Sequence, residues 1–162
     1  MAKDLEKAQQ VVRSFRKVNK ALYRLLREEA EVLDATVVQI LVLRVLSQNP
    51  NIGLNELAER LQLGNSTMSG VVDRLVSAGL VVRERSHEDR RSLTMRLTNE
   101  GKAKQNEAFG DDSFLVERLS RILEIPGEDL EHLLRIHDQI LEKWRQGDDK
   151  EEESKSSIVS EI

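Results

Sequence analysis

The sequence has no cysteine, which excludes disulfides, thiolate metal sites, thiol nucleophiles and thiol redox sensing together. Aromatic residues make up only 3% of the 162 positions, against 33% charged residues. That mix suits exposed helices and argues against an aromatic-rich β-sandwich. No apolar stretch approaches the roughly 18 residues of a membrane span. The opening MAKDLEKAQQ has no apolar signal-peptide core, so a soluble, cytoplasmic chain is expected. Catalytic signatures are also missing: there is no phosphate-binding glycine loop, HExxH or nucleophile elbow. His132 and His137 lie five apart, about 140° on a helix, which spoils shared metal ligation. His137 falls on an apolar stripe, and His87 sits in a polar loop. Asp111 and Asp112 lie in a turn with no nucleophile or apolar pocket to tune them. The expectation is no enzyme, no cofactor and no metal.

The net charge of −4 would seem to discourage an anionic partner, but its distribution matters more than its sum. Residues 60–104 hold 9 basic and 5 acidic side chains, and residues 105–162 hold 7 basic and 16 acidic. A polyanion would therefore meet the middle of the chain.

Apolar residues step by three and four from Leu5 through Ala8, Val12 and Phe15 to Leu22 and Leu26, predicting a long helix over about 4–31. Asn19 interrupts the stripe, either as a tolerated polar residue or as a buried register-fixing one. Thr36 and Gln39 have capping-box spacing ahead of an almost wholly apolar helix from Val37 to Leu46, which should be central. Turn chemistry over Gln48–Gly53 stops it. Two short helices follow, Asn55–Leu61 and one capped by Asn65 or Ser66 that runs to about Ala78, separated by a Gly64-containing turn. Small Ala58 suits a steep crossing, and the pair reads as a helix-turn-helix. Gly79 ends the second helix as a C′ glycine. Leu80–Arg85 and Leu93–Thr98 then read as strands around the polar loop Ser86–Ser92, which is the order of a winged helix. A further helix starts at Thr98, breaks at Phe109–Ser113 and resumes. The last helix carries Leu130, Leu133, Leu134, His137, Ile140, Leu141 and Trp144 at helical spacing. The predicted fold is mainly α with a small β-hairpin. It comprises an N-terminal dimerisation helix (1–33), a winged helix-turn-helix (34–100), C-terminal dimerisation helices (101–146) and a disordered acidic tail (147–162).

The order and the residues resemble the MarR family, dimeric winged-helix transcriptional regulators. The resemblance spans about residues 5–145. It is carried by Leu54-Asn-Glu-Leu-Ala-Glu-Arg-Leu61, Ser66-Thr-Met-Ser-Gly-Val-Val-Asp-Arg-Leu75, Gly79-Leu-Val-Val-Arg83, Asp89-Arg-Arg91 and Leu97-Thr-Asn-Glu-Gly101. Thr36-Val-Val-Gln39 is similar to the family's entry to its second helix without the prolines common there. Gly70 stands where many members carry a larger residue. By resemblance Arg91 matches the wing arginine and Asp89 the acid that steadies the wing. The resemblance also implies a homodimer joined through its termini and, in many members, a small aromatic or anionic effector held beside the dimer helices. Phe15, Tyr23 and Trp144 are the residues that could line such a cleft, and core packing explains each equally well.

Chemistry alone points the same way. A recognition helix presents short polar groups at its N-terminal end, where base edges and phosphates meet it. Asn65, Ser66, Thr67, Ser69 and Gly70 do so, and free backbone N–H groups there suit a phosphate. The serines could equally serve as plain caps. Arg74 can reach the DNA backbone or pair with Asp73. Arg90 and Arg91 at the hairpin tip suit the negative potential of a minor groove, or form an ordinary solvated turn. Double-stranded DNA is the expected partner. The sequence predicts a sequence-specific regulator, a repressor, on a pseudo-palindromic site. The alternative is a helical dimer acting as a protein adaptor, which would have no need of the basic middle segment.

Overall fold

A computed structural model describes residues 2–85 and 93–159, with side chains described for 4–85 and 93–145. The elements in chain order are α1 (Ala2–Val32), α2 (Val37–Gln48), β1 (Ile52–Gly53), α3 (Leu54–Arg60), α4 (Asn65–Ser77), β2 (Val81–Arg85), β3 (Leu93–Leu97), α5 (Asn99–Phe109), α6 (Phe114–Ser120), a 3-10 turn (Arg121–Glu124) and α7 (Gly127–Val159). The chain divides into two compact units, residues 1–119 and 120–162.

In the first unit α2 is central, as its nearly continuous apolar run requires. The capping box forms: Thr36 Oγ1 accepts from the Gln39 N–H at 3.2 Å, and Gln39 Oε1 accepts from the Thr36 N–H at 2.8 Å. One side of α2 supplies Val42, Leu43 and Leu46 to a core with Leu57, Ala58, Met68, Val71, Val72, Leu75, Val81, Met95 and Leu97. The other side supplies Val37 and Ile40 to a smaller cluster with Ala30 and Ala108. That second cluster welds the end of α1 and the end of α5 to the winged helix. The Arg44 guanidinium lies 5.2 Å from the centre of the Phe109 ring, adding a cation–π contact between α2 and α5. Glu29 is buried, and its Oε2 accepts from the Leu115 N–H at 2.8 Å, tying α1 to the start of α6.

The sheet has three antiparallel strands in the order β1-β3-β2, one more than the expected hairpin. Ile52 pairs with Met95 and Gly53 with Thr94, inside the segment read from sequence as turn only. A two-residue strand has no period to read. Asn51, held at φ 67°, bends the chain out of α2, and its N–H donates to the Met95 carbonyl at 3.0 Å. Thr98 closes the winged helix: its hydroxyl accepts from the Gly101 N–H at 2.9 Å and donates to the Gly79 carbonyl at 2.7 Å.

In the second unit Pro126 stands just before α7, and its carbonyl accepts from the Asp129 N–H at 3.0 Å. α7 then runs as backbone helix to Val159, into the segment read from sequence as an acidic tail. Its last third is built from Glu, Lys, Asp and Ser with no proline, and Glu and Lys propagate a helix once it is nucleated. Among the described residues no helix is long and apolar enough to cross a membrane.

Candidate nucleic-acid interface

The turn between α3 and α4 sets the outward face. Gln62, not Gly64, takes the left-handed conformation, at φ 53°. The Gln62 N–H donates to the Glu59 carbonyl at 3.0 Å and the Leu63 N–H to the Ala58 carbonyl at 2.9 Å, closing α3. Gly64 is then the N-cap of α4, with no side-chain cap hydrogen bond. The expected caps, Asn65 and Ser66, are therefore displaced into the first turn, because reversal at Gln62 brings the helix start one residue earlier. That correction leaves their side chains, and the unbonded N–H groups of the first turn, free of a capping duty.

Met68, Val71, Val72 and Leu75 face the core, which turns the opposite side of α4 outward. Asn65, Ser66, Thr67 and Arg74 are exposed, while Ser69 and Gly70 are half-buried. Short polar side chains thus occupy the first two turns and a cation the third. Arg74 does not pair with the adjacent Asp73. Asp73 Oδ1 instead meets Arg83 Nη1 of β2 at 2.6 Å, a bridge from helix to sheet. Arg74 forms no ion pair among the described residues. The α4 end is closed by Gly79 at φ 71°, with the Leu80 N–H donating to the Leu75 carbonyl at 2.9 Å.

β2 and β3 carry the other half of the surface. Val81, Met95 and Leu97 anchor the hairpin in the core. Glu84 and Arg96 pair across the strands, with Arg96 Nε donating to Glu84 Oε2 at 2.9 Å. That hydrogen bond, then the charge of Glu84, hold the Arg96 guanidinium above its ordinary range. Arg85 ends β2 exposed at the root of the loop. Arg83 and Arg85 were not singled out from sequence; the signal was their alternation on β2, which places both on one side of the strand. Asp89, Arg90, Arg91 and His87 lie outside the described residues.

Of the effector candidates, Phe15 is half-buried on α1 and Trp144 is exposed on α7. Tyr23 is exposed and lines an open groove of about 420 Å³ along α1, with Lys17, Lys20, Ala21, Arg24 and Arg27. Arg24 and Arg27 are partly neutralised by Glu28 and Glu31, one turn on. Among the described residues no group of His, Asp and Glu is placed to hold a metal ion. His132 Nδ1 lies 3.1 Å from Arg135 Nη2.

Residues 35–93, from the entry to α2 to the start of β3, match the family model for the MarR family. The chain is 30% identical over 120 residues to the HTH-type transcriptional regulator FarR of Neisseria gonorrhoeae, covering 74% of this chain and 77% of that one. It is 36% identical over 70 residues to the HTH-type transcriptional regulator YfiV of Bacillus subtilis, but the match spans only 43% of this chain and 44% of that relative. Among solved structures, a mutant MarR from E. coli in complex with operator DNA superposes with a TM-score of 0.67 at 27% identity, covering 83% of this chain and 96% of that one. The shared helix-turn-helix, hairpin and terminal helices, together with the long match to FarR, place this chain in the MarR family of transcriptional regulators.

Proposed function

We propose that this chain is a repressor that binds a pseudo-palindromic operator in double-stranded DNA as a homodimer and is released by a small aromatic or anionic ligand. The observation that carries the DNA reading is the outward face of α4. Asn65, Ser66 and Thr67 are exposed on its first turn with no capping role, and Arg74 stands two turns on without an ion pair among the described residues. Short hydrogen-bonding groups at a helix N-terminus suit base edges and phosphates, and an arginine further along suits the DNA backbone. Arg85 continues the cationic surface toward the loop that carries Arg90 and Arg91, which suit an adjacent minor groove. The similarity to a MarR solved in complex with operator DNA supports double-stranded DNA as the partner.

The homodimer rests on apolar surface that one chain leaves exposed. Leu5, Val18, Leu22 and Tyr23 of α1, and Leu133, Leu134, Leu141 and Trp144 of α7, are each at least 39% exposed. Faces of that kind mark contact surfaces. We assign residues 1–33 and 101–146 to dimerisation and 34–100 to DNA. A two-fold dimer then reads half-sites about one helical turn apart, roughly 10 base pairs. Selection of bound sequences from random duplex DNA tests the reading: an enriched, two-fold-related consensus is expected. A folded dimer that enriches nothing would favour the adaptor.

A further inference from the structure

Gly70 is the sixth residue of α4 and shares its outward side with Ser66, Asp73, Arg74 and Ser77, all exposed. Nothing in the fold requires glycine there. A Cβ built on it meets no atom within 4 Å, and its φ is not positive. At Gly101, by contrast, a Cβ would lie 1.9 Å from the Leu80 carbonyl oxygen, so that glycine serves packing. A glycine inside a helix is destabilising relative to alanine. What Gly70 provides in return is a gap of one methyl group on the side of α4 that carries Ser66, Thr67 and Arg74. The Gly70 N–H lies within the i→i−4 ladder, so the gap offers only C–H surface.

We propose that Gly70 determines specificity by admitting the C5-methyl group of a thymine at one base pair in each half-site. The inference rests on the DNA reading above and deepens it. Of the groups on the major-groove edge, the thymine methyl is the apolar one that projects, while the others are hydrogen-bond donors or acceptors. A donor or acceptor placed against bare C–H would lose water without replacement, whereas a methyl group loses nothing.

The test uses the full chain and the consensus that it selects. Each thymine of the consensus is replaced in turn by uracil, which removes only the methyl group. The parent is expected to lose about threefold to fivefold affinity at one position per half-site, the worth of one buried methyl. Gly70→Ala is expected to melt about 2–4 °C higher, as relief of a helical glycine implies. It should bind the parent consensus more weakly and recover on the duplex with uracil at that one position. The proposal is overturned if Gly70→Ala keeps the parent's consensus, affinity and uracil response, and also if it melts lower, which would make the glycine structural. A parent that enriches no DNA would instead sink the DNA reading, and the notch with it. Those outcomes are separable because the parent is measured first.

Discussion

Two glycines with opposite duties show how much a single side chain decides here. Gly101 sits in the first turn of α5, against the backbone at Leu80. Gly101→Ala must push apart α5 and the start of the hairpin, because the obstructing atom is a carbonyl oxygen and not a flexible side chain. A loss of about 1–3 kcal/mol is expected from overpacking of that kind. Urea unfolding of the variant measures it, with an unchanged m-value marking a loss of stability alone. An unchanged midpoint would mean that the strand end shifts freely. The sequence contains both glycines but cannot tell them apart, since spacing along the chain reports nothing of Leu80 approaching from 21 positions away. The Thr36 capping box was legible for the converse reason: both of its partners lie within four residues. The N-cap of α4 was misread by one or two residues because a left-handed Gln62, and not the glycine two positions on, sets the helix start.

At the scale of elements, polar bridges position what hydrophobic packing alone leaves loose. Asp73 and Arg83 hold β2 to α4 on the surface assigned to DNA. Both side chains are substantially exposed, so the pair contributes little to stability, and its role is placement and charge. Asp73→Asn removes the one acid on that part of α4 and releases Arg83. The expected outcome is a non-specific affinity that rises at low salt, with the slope of log K against log salt steeper by about one unit. Anisotropy titrations of a random duplex at several salt concentrations give that slope. An unchanged slope would mean that Arg83 stays off the DNA.

Glu29 is the stronger tie because it is buried. Glu29→Leu strands the Leu115 N–H without an acceptor, at a cost of about 1–3 kcal/mol, whereas Glu29→Gln keeps an acceptor oxygen and should lose less. Equal losses for the two variants would show that charge, not hydrogen bonding, holds α6 to α1. The alternating apolar residues of β3 and the helical stripes of α1, α2 and α7 were readable from period alone. The two bridges were not, since each joins residues whose proximity only the fold creates. β1 was missed because two residues carry no pattern.

For the whole molecule, the question is what covers the long helices. Leu22 and Tyr23 on α1, and Leu134 and Trp144 on α7, are large apolar side chains exposed on amphipathic helices. Leu22 lies on the apolar stripe of α1 and is 39% exposed, so a second copy is the partner that most economically removes it from water. A carboxylate at that position would be buried unpaired in the dimer yet harmless in the monomer, where water reaches it. Leu22→Asp should therefore leave the circular dichroism and the winged helix intact while sedimentation shifts from dimer to monomer. Operator affinity should fall steeply with it, because two half-sites bound through one linked dimer gain from effective concentration and two separate monomers do not. Adding non-specific DNA as a control separates the two effects: its binding, which depends on the cations of each winged helix, should change far less than binding to the paired site. A variant that stays dimeric and keeps its operator affinity would place the intersubunit contact elsewhere, and would leave the α1 face to be covered by a different partner.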